Sequence, residues 1–138
     1  MVKIIDLQFQ GQPNAIAVFL METSDGPVLI ETGPYSSIIA LEQGLNQHNY
    51  GVKDIKHVFI THIHLDHAGA AWFFAKHGAN IYLHPLGLPH LQNPEKLLSS
   101  AKRIYQDKME SLWGDLQPIP KSQLKAVQNN QRIMRIRG

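Results

Sequence analysis

Three imidazoles and one carboxylate fall within six residues of this chain, His62-Ile63-His64-Leu65-Asp66-His67, flanked by Thr61 and by Ala68-Gly69. Histidine nitrogens and carboxylate oxygens are the donors that hold zinc, iron or manganese in proteins. His62 and His64 are two positions apart, so in extended backbone they project to one side and can share an ion. Asp66 and His67 come where the chain turns toward a helix, and they can point at a second ion. Two ions about 3.5–4 Å apart can hold a bridging hydroxide at neutral pH and polarise a carbonyl or phosphoryl oxygen. The sequence contains no cysteine, which excludes disulfides and thiolate sites and leaves only His, Asp or Glu to bind a metal.

Such donors must be held by regular structure. The apolar run His57-Val58-Phe59-Ile60 reads as a buried strand that delivers the histidine motif at its C-terminal end, a place where the strand fixes the backbone and the loop lets side chains converge. Ala68 to His77 reads as a helix closed by Gly78, and Gly69 is expected to let its start pack close to the site. Upstream, Val2 to Phe9 and Ala15 to Met21 read as strands separated by the Gly11-Gln12-Pro13-Asn14 turn. Ser24-Asp25-Gly26 signals a hairpin, with Val28-Leu29-Ile30 as a short buried strand after it. Glu31-Thr32-Gly33-Pro34 breaks that strand. Glu31 and Thr61 are candidates for orienting the imidazoles by hydrogen bonds. Ile38, Leu41 and Leu45 mark one face of a helix ending near Gly51, and Asn80 to His84 is a further strand stopped by Pro85. From Pro94 to Trp113 apolar residues recur at helical spacing, predicting one long amphipathic helix ended by Gly114 and Pro118-Ile119-Pro120. Gln131 to Arg137 loosely alternates and predicts a new strand.

The 138 residues, 43% hydrophobic and 17% charged, suit a single globular domain with a core. A net charge of +2 with scattered basic residues does not point to nucleic acid, and the Arg132, Arg135, Arg137 cluster is expected on a solvated strand edge. Met1 to Asp6 carries no apolar leader, and no run reaches membrane-spanning length. A soluble cytoplasmic protein is expected. Strands followed by strand–helix alternation favour a layered α/β arrangement.

The nine residues Thr61 to Gly69 resemble the signature of the metallo-β-lactamase-fold hydrolases, a group that includes glyoxalase II-like enzymes. Glu31-Thr32-Gly33 resembles that family's Asp-Thr-Gly element with Glu for Asp, which keeps the acid and lengthens its reach. The resemblance implies an α/β (α+β layered) fold, the N-terminal half of the αββα sandwich, with a mixed sheet flanked by helices. It implies His62 and His64 on a first metal and Asp66 and His67 on a second. Asp66 would also be the catalytic residue, managing the proton of the attacking water. The implied cofactors are two divalent ions, zinc foremost, with iron or manganese as alternatives. The family normally adds a histidine in a Pro-Gly-His context, a bridging aspartate and a final histidine, and none of these contexts occurs here. The expectation is therefore a single, truncated domain over residues 1–138. Residues 1–87 would hold the sheet, helices and metal motif, 88–120 an inserted helical segment, and 121–138 the start of the second half.

Two function classes stay open. One is a metal-dependent hydrolase acting on an ester, thioester, lactone, amide or phosphodiester, weakly active as this chain because four ligands shared by two ions leave each underbound. The substrate is an unidentified small molecule. The other is a non-catalytic half-domain that self-associates or binds a partner, as a homo-oligomer or with a complementing C-terminal half. A polar loop of caps and an inherited but metal-free site are the plainer readings of the motif. A redox diiron branch of the family would be expected to place a carboxylate where His64 stands. His84 can be a ligand or a strand-end residue, and His90 can contact substrate or sit in a loop. His48, His57 and His77 are expected at the surface or in packing, and Asp25 and Asp54 in turns. The Tyr105 and Trp113 stripe can be helix packing or a partner surface.

Overall fold

Alternating side chains and a tight turn build the first half of the sheet. In the computed structural model, which describes residues 2–128 and 131–133, strands β1 (Val2–Asp6), β2 (Ala17–Thr23) and β3 (Gly26–Ile30) form an antiparallel meander. The β2–β3 hairpin turns at Ser24-Asp25. The Thr23 hydroxyl donates to the Gly26 carbonyl at 2.8 Å and accepts the Asp25 N–H at 3.1 Å. β1 ends earlier than the predicted Val2 to Phe9. Gln8 and Gln10 adopt left-handed backbone, and Phe9–Gly11 forms a single 3-10 turn.

From β3 onward the strands run parallel and are joined by helices. Strands β4 (His57–Phe59), β5 (Asn80–Leu83) and β6 (Leu124–Ala126) complete a mixed six-stranded sheet in sequence order. Helix α1 (Ile38–Gln47) crosses from β3 to β4, and α2 (Leu65–Ala68) and α3 (Ala71–Lys76) cross from β4 to β5. Helices α4 (Leu88–Gln92), α5 (Glu95–Tyr105) and α6 (Met109–Trp113) lie between β5 and β6. This α/β architecture is the expected mixed sheet flanked by helices. The parallel strands bring the C-terminal ends of β3, β4 and β5 to one edge, where ligand sites of α/β sheets form.

One face of the sheet is the core. Leu20, Leu29, Val58, Ile81 and Leu124 stand in register across five strands, all buried, and join Leu41 and Leu45 of α1 and Phe74 and Ala75 of α3 in one cluster. Truncating Phe74, which is fully buried, to alanine costs about 3–5 kcal/mol by lost burial and cavity formation. The next row in register, Ile4, Phe19, Ile30, Phe59 and Tyr82, points to the opposite face. Its members are exposed or half-buried, Ile4 at 69%. Phe59 stacks on Tyr82 at 4.6 Å between ring centroids. Burial raises the Tyr82 hydroxyl above the usual tyrosine range, partly offset by a hydrogen bond from Asn80. Residues 131–133 run beside this face near Met21, Val28 and Phe59.

Three further predicted elements differ. The helix expected over Ala68–His77 begins at Leu65 and is split at Gly69-Ala70, because the Ala70 N–H turns to the Gly33 carbonyl at 3.0 Å and the Thr32 hydroxyl at 3.1 Å. The long helix expected from Pro94 to Trp113 breaks after Tyr105, where Gln106 takes a φ of 51°. A 3-10 turn over Gln106–Lys108 then restarts the chain as α6. The strand expected over Gln131–Arg137 is absent at 131–133, and positions 134–137 lie outside the described residues, with Arg135 and Arg137 among them. The sixth strand is Leu124–Ala126 instead, too short to show a period-two pattern. Among the described residues no helix is long and apolar enough to cross a membrane.

Candidate metal centre

The motif begins where β4 stops. The Ile60 N–H still bonds to the Tyr82 carbonyl at 2.9 Å, and the chain leaves the sheet at Thr61. His64 then caps the single turn of α2, its carbonyl accepting the N–H groups of His67 and Ala68, each at 2.9 Å. Glu31-Thr32-Gly33, leaving the end of β3, clamps this turn from below. The His67 carbonyl accepts the Thr32 and Gly33 N–H groups at 2.8 and 3.3 Å, and the Thr32 hydroxyl lies 3.1 Å away. Thr32 is 1% exposed. Its bracing role was missed by sequence reasoning, although a threonine between an acid and a glycine at a strand end offered a signal. Gly69 is required by contact, as expected. A Cβ there would lie 2.5 Å from the Leu65 carbonyl oxygen and 3.0 Å from Pro34 Cα, both backbone atoms that cannot step aside.

Glu31 is the pivot of the side-chain geometry. It is 4% exposed and adopts a left-handed φ of 69°, uncommon for a residue with a Cβ and a local strain that the surrounding hydrogen bonds hold in place. Its Oε1 accepts the Thr61 N–H at 2.9 Å, and its Oε2 lies 2.8 Å from His67 Nδ1. A carboxylate only accepts, so it holds a proton of His67 on Nδ1 and leaves Nε2 as the nitrogen that faces outward. That Nε2 is 3.3 Å from Asp66 Oδ2. His62 Nδ1 lies 3.1 Å from the Thr61 hydroxyl, and the His62 and His67 rings are 3.9 Å apart between centroids.

One donor atom from each of His62, Asp66 and His67 lies within 4.8 Å of the other two. These donors are oxygen and nitrogen, one imidazole is keyed by a buried carboxylate, and the cluster faces outward at the strand ends. That set fits a divalent ion. His64 stands beside it, its ring edge-on to His62 at 4.9 Å between centroids, but it offers no donor atom inside the cluster. His62 thus has neighbours on both sides, His64 as expected from spacing and His67 with Asp66 across the turn of α2.

The other histidines divide between cavities and packing. His84 and His90 line a cavity of about 400 Å³ with Thr61 and His62. His84 Nδ1 also accepts the Leu86 N–H at 3.1 Å, a local turn bond. His57 pairs with the Tyr82 hydroxyl at 2.9 Å and His77 with the Phe73 carbonyl at 2.8 Å. On the other side of the motif His64 and Asp66 border a cleft of about 540 Å³ against α5 and α6.

Comparison with known proteins bears on this site. A family model described as the metallo-beta-lactamase superfamily matches residues 11–129. No match was found among curated proteins. Among solved structures the chain is similar to BJP-1, a subclass B3 metallo-beta-lactamase of Bradyrhizobium japonicum. Identity is 26% and the TM-score 0.62, over 86% of this chain and 41% of that one. It is also similar to the metallo-beta-lactamase GOB-18 from Elizabethkingia meningoseptica, with 25% identity and a TM-score of 0.61, over 86% of this chain and 40% of that one. The FEZ-1 metallo-beta-lactamase from Legionella gormanii shares the fold at 15% identity, with a TM-score of 0.67 over 96% of this chain and 45% of that one. The chain thus spans less than half the length of these structures.

Proposed function

Since the chain belongs to the metallo-beta-lactamase superfamily, we propose that it is a metal-dependent hydrolase domain acting on an ester, thioester, lactone, amide or phosphodiester. The observation that carries this reading is the convergence of His62, Asp66 and His67 within 4.8 Å, with His67 keyed by Glu31. Two divalent ions, zinc foremost, are the proposed cofactors, with His64 contributing alongside the cluster. Bound there, they would supply Lewis acidity and a hydroxide nucleophile at neutral pH. The residues of the chain do the positioning. Glu31 holds the His67 ring and its tautomer. Thr61 presents its N–H to Glu31 and its hydroxyl to His62. Asp66, whose side chain is 43% exposed, can take a proton at a carboxylate oxygen during attack by water. Four side chains give two ions two ligands each, so tight binding requires further donors from elsewhere, in another segment or another chain.

The test is metal content. On titration the chain should take up zinc, iron or manganese, measurable by mass spectrometry, and Asp66→Ala and His67→Ala should weaken that uptake. A chain that takes up no divalent ion on titration would overturn the reading. A panel of ester, thioester, lactone, β-lactam and phosphodiester substrates then assigns the reaction.

A second reading has its own observation, the in-register apolar row Ile4, Phe19, Ile30, Phe59 and Tyr82 on the sheet face opposite the helices. Contiguous apolar surface of this kind marks interaction sites. It supports a self-associating module or one that pairs with a complementing half. Sedimentation velocity should show a dimer that Ile4→Lys weakens, and a monomer at all concentrations would count against it.

A further inference from the structure

Between the histidine motif and the helices that follow β5 lies the 540 Å³ cleft bordered by His64 and Asp66. Its remaining walls are Ile63 and Leu65 from the motif and Leu97, Ser100, Ala101, Ile104, Tyr105 and Trp113 from α5 and α6. Among the described residues no lysine or arginine lines it. The cations of α5, Lys96, Lys102 and Arg103, are all exposed and outside this lining. We infer that this cleft is the subsite for an uncharged apolar arm of the substrate, an acyl chain or aryl group. The scissile ester, thioester or lactone carbonyl then lies toward Asp66. The inference rests on the hydrolase reading of the metal cluster and narrows its substrate class.

Three observations support it. Asp66 belongs both to the donor cluster and to the cleft wall, so a molecule in the cleft abuts the proposed reacting centre. The volume suits a small-molecule site, which typically spans roughly 300–1,000 Å³, and admits an eight-carbon chain. Ile104, at the rim, is 71% exposed, an apolar side chain that gains from being covered. A phosphodiester or phosphorylated substrate places anionic oxygens that call for arginine or lysine donors, and the described residues of this wall offer none.

The Trp113 indole N–H provides the probe. It is buried without a hydrogen-bond partner among the described residues, whereas the Trp72 indole N–H donates to the Asp115 carbonyl at 3.1 Å, so the two respond differently to a ligand in the cleft. The full chain, labelled with nitrogen-15, would be titrated with sodium butanoate, hexanoate and octanoate, and with phenyl phosphate for contrast, while zinc content is measured on the same samples. The Trp113 indole and Ala101 amide signals should shift. The dissociation constant should fall about fourfold per added methylene, the factor that corresponds to burying one such group. Ile104→Lys, at an exposed position that leaves the fold intact, should flatten this dependence, and Ala101→Phe should block the longer acids. Affinity independent of chain length, or shifts confined to other surfaces, would each overturn the inference. A lost chain-length dependence with zinc bound removes the cleft and leaves the hydrolase reading standing. An intact dependence without zinc removes the hydrolase reading and upholds the cleft as an apolar-arm site.

Discussion

Replacing Glu31 by glutamine tests the architecture of the metal cluster with a change of one atom. Glu31 Oε1 accepts the Thr61 N–H at 2.9 Å and Oε2 faces His67 Nδ1 at 2.8 Å. Both demands require an acceptor, and glutamine has one acceptor and one donor. If its amide nitrogen faces His67, Nδ1 must accept, and the ring proton moves to Nε2, the nitrogen needed for a metal. If it faces Thr61, two N–H groups oppose each other in a site where residue 31 is 4% exposed. The first arrangement keeps both hydrogen bonds at the expense of the metal-binding tautomer, and the second leaves an N–H group unsatisfied, about 1–3 kcal/mol. Changes to such orienting partners typically weaken metal binding about 10- to 100-fold. The expectation for Glu31→Gln is a zinc affinity lower by that factor in competition with a chelating dye. Long-range nitrogen–proton spectra should show the His67 proton moved from Nδ1 to Nε2, or the Thr61 amide shifted as its acceptor is lost. Zinc affinity within twofold of the unmodified chain would refute the reasoning.

Further outcomes follow from neighbouring contacts. Gly69→Ala drives a Cβ against the Leu65 carbonyl oxygen and Pro34 Cα and should destabilise the fold by about 1–3 kcal/mol in urea unfolding. Thr32→Val removes the hydroxyl that accepts the Ala70 N–H and lies beside the Gly33 and His67 carbonyls, and should cost about 1–3 kcal/mol by the same assay. Asp6 accepts the Asn14 N–H at 2.8 Å and the Gln8 N–H at 2.9 Å, which hold its carboxyl below the usual aspartate range. The stabilisation from a lowered carboxyl is present above the unfolded value and is lost as pH falls through the folded one. Asp6→Asn should therefore lower Tm at neutral pH, and the difference should close under strong acid. An equal difference at every pH would count against that account.

The parts of the fold carried by local pattern were legible. The Ser24-Asp25-Gly26 hairpin, the face of α1 marked by Leu41 and Leu45, and strands β4 and β5 all stand where apolar periodicity and turn residues put them. Elements decided by tertiary contact were not. The break between α2 and α3 comes from Thr32 and Gly33 drawing off the Ala70 N–H, a bond between residues 37 or more positions apart that no local window contains. β6 exists because three residues find the free edge of β5. The kink at Gln106 is a left-handed residue without glycine to announce it.

The same division runs through the site. Sequence alone determined the donor types, since a chain without cysteine that spaces three histidines and an aspartate over six residues can offer a metal only nitrogen and oxygen. It also named Glu31 and Thr61 as orienting groups, and both meet the motif. Only the tertiary structure decided which donors converge. Spacing groups His62 with His64, whose rings do lie 4.9 Å apart, and one helical turn at Leu65 brings Asp66 and His67 up beside His62 as well, while His64 also borders the apolar cleft. Residue types are fixed by the chain, whereas the direction in which each side chain points is set by backbone torsions that distant hydrogen bonds from Glu31 and Thr32 select.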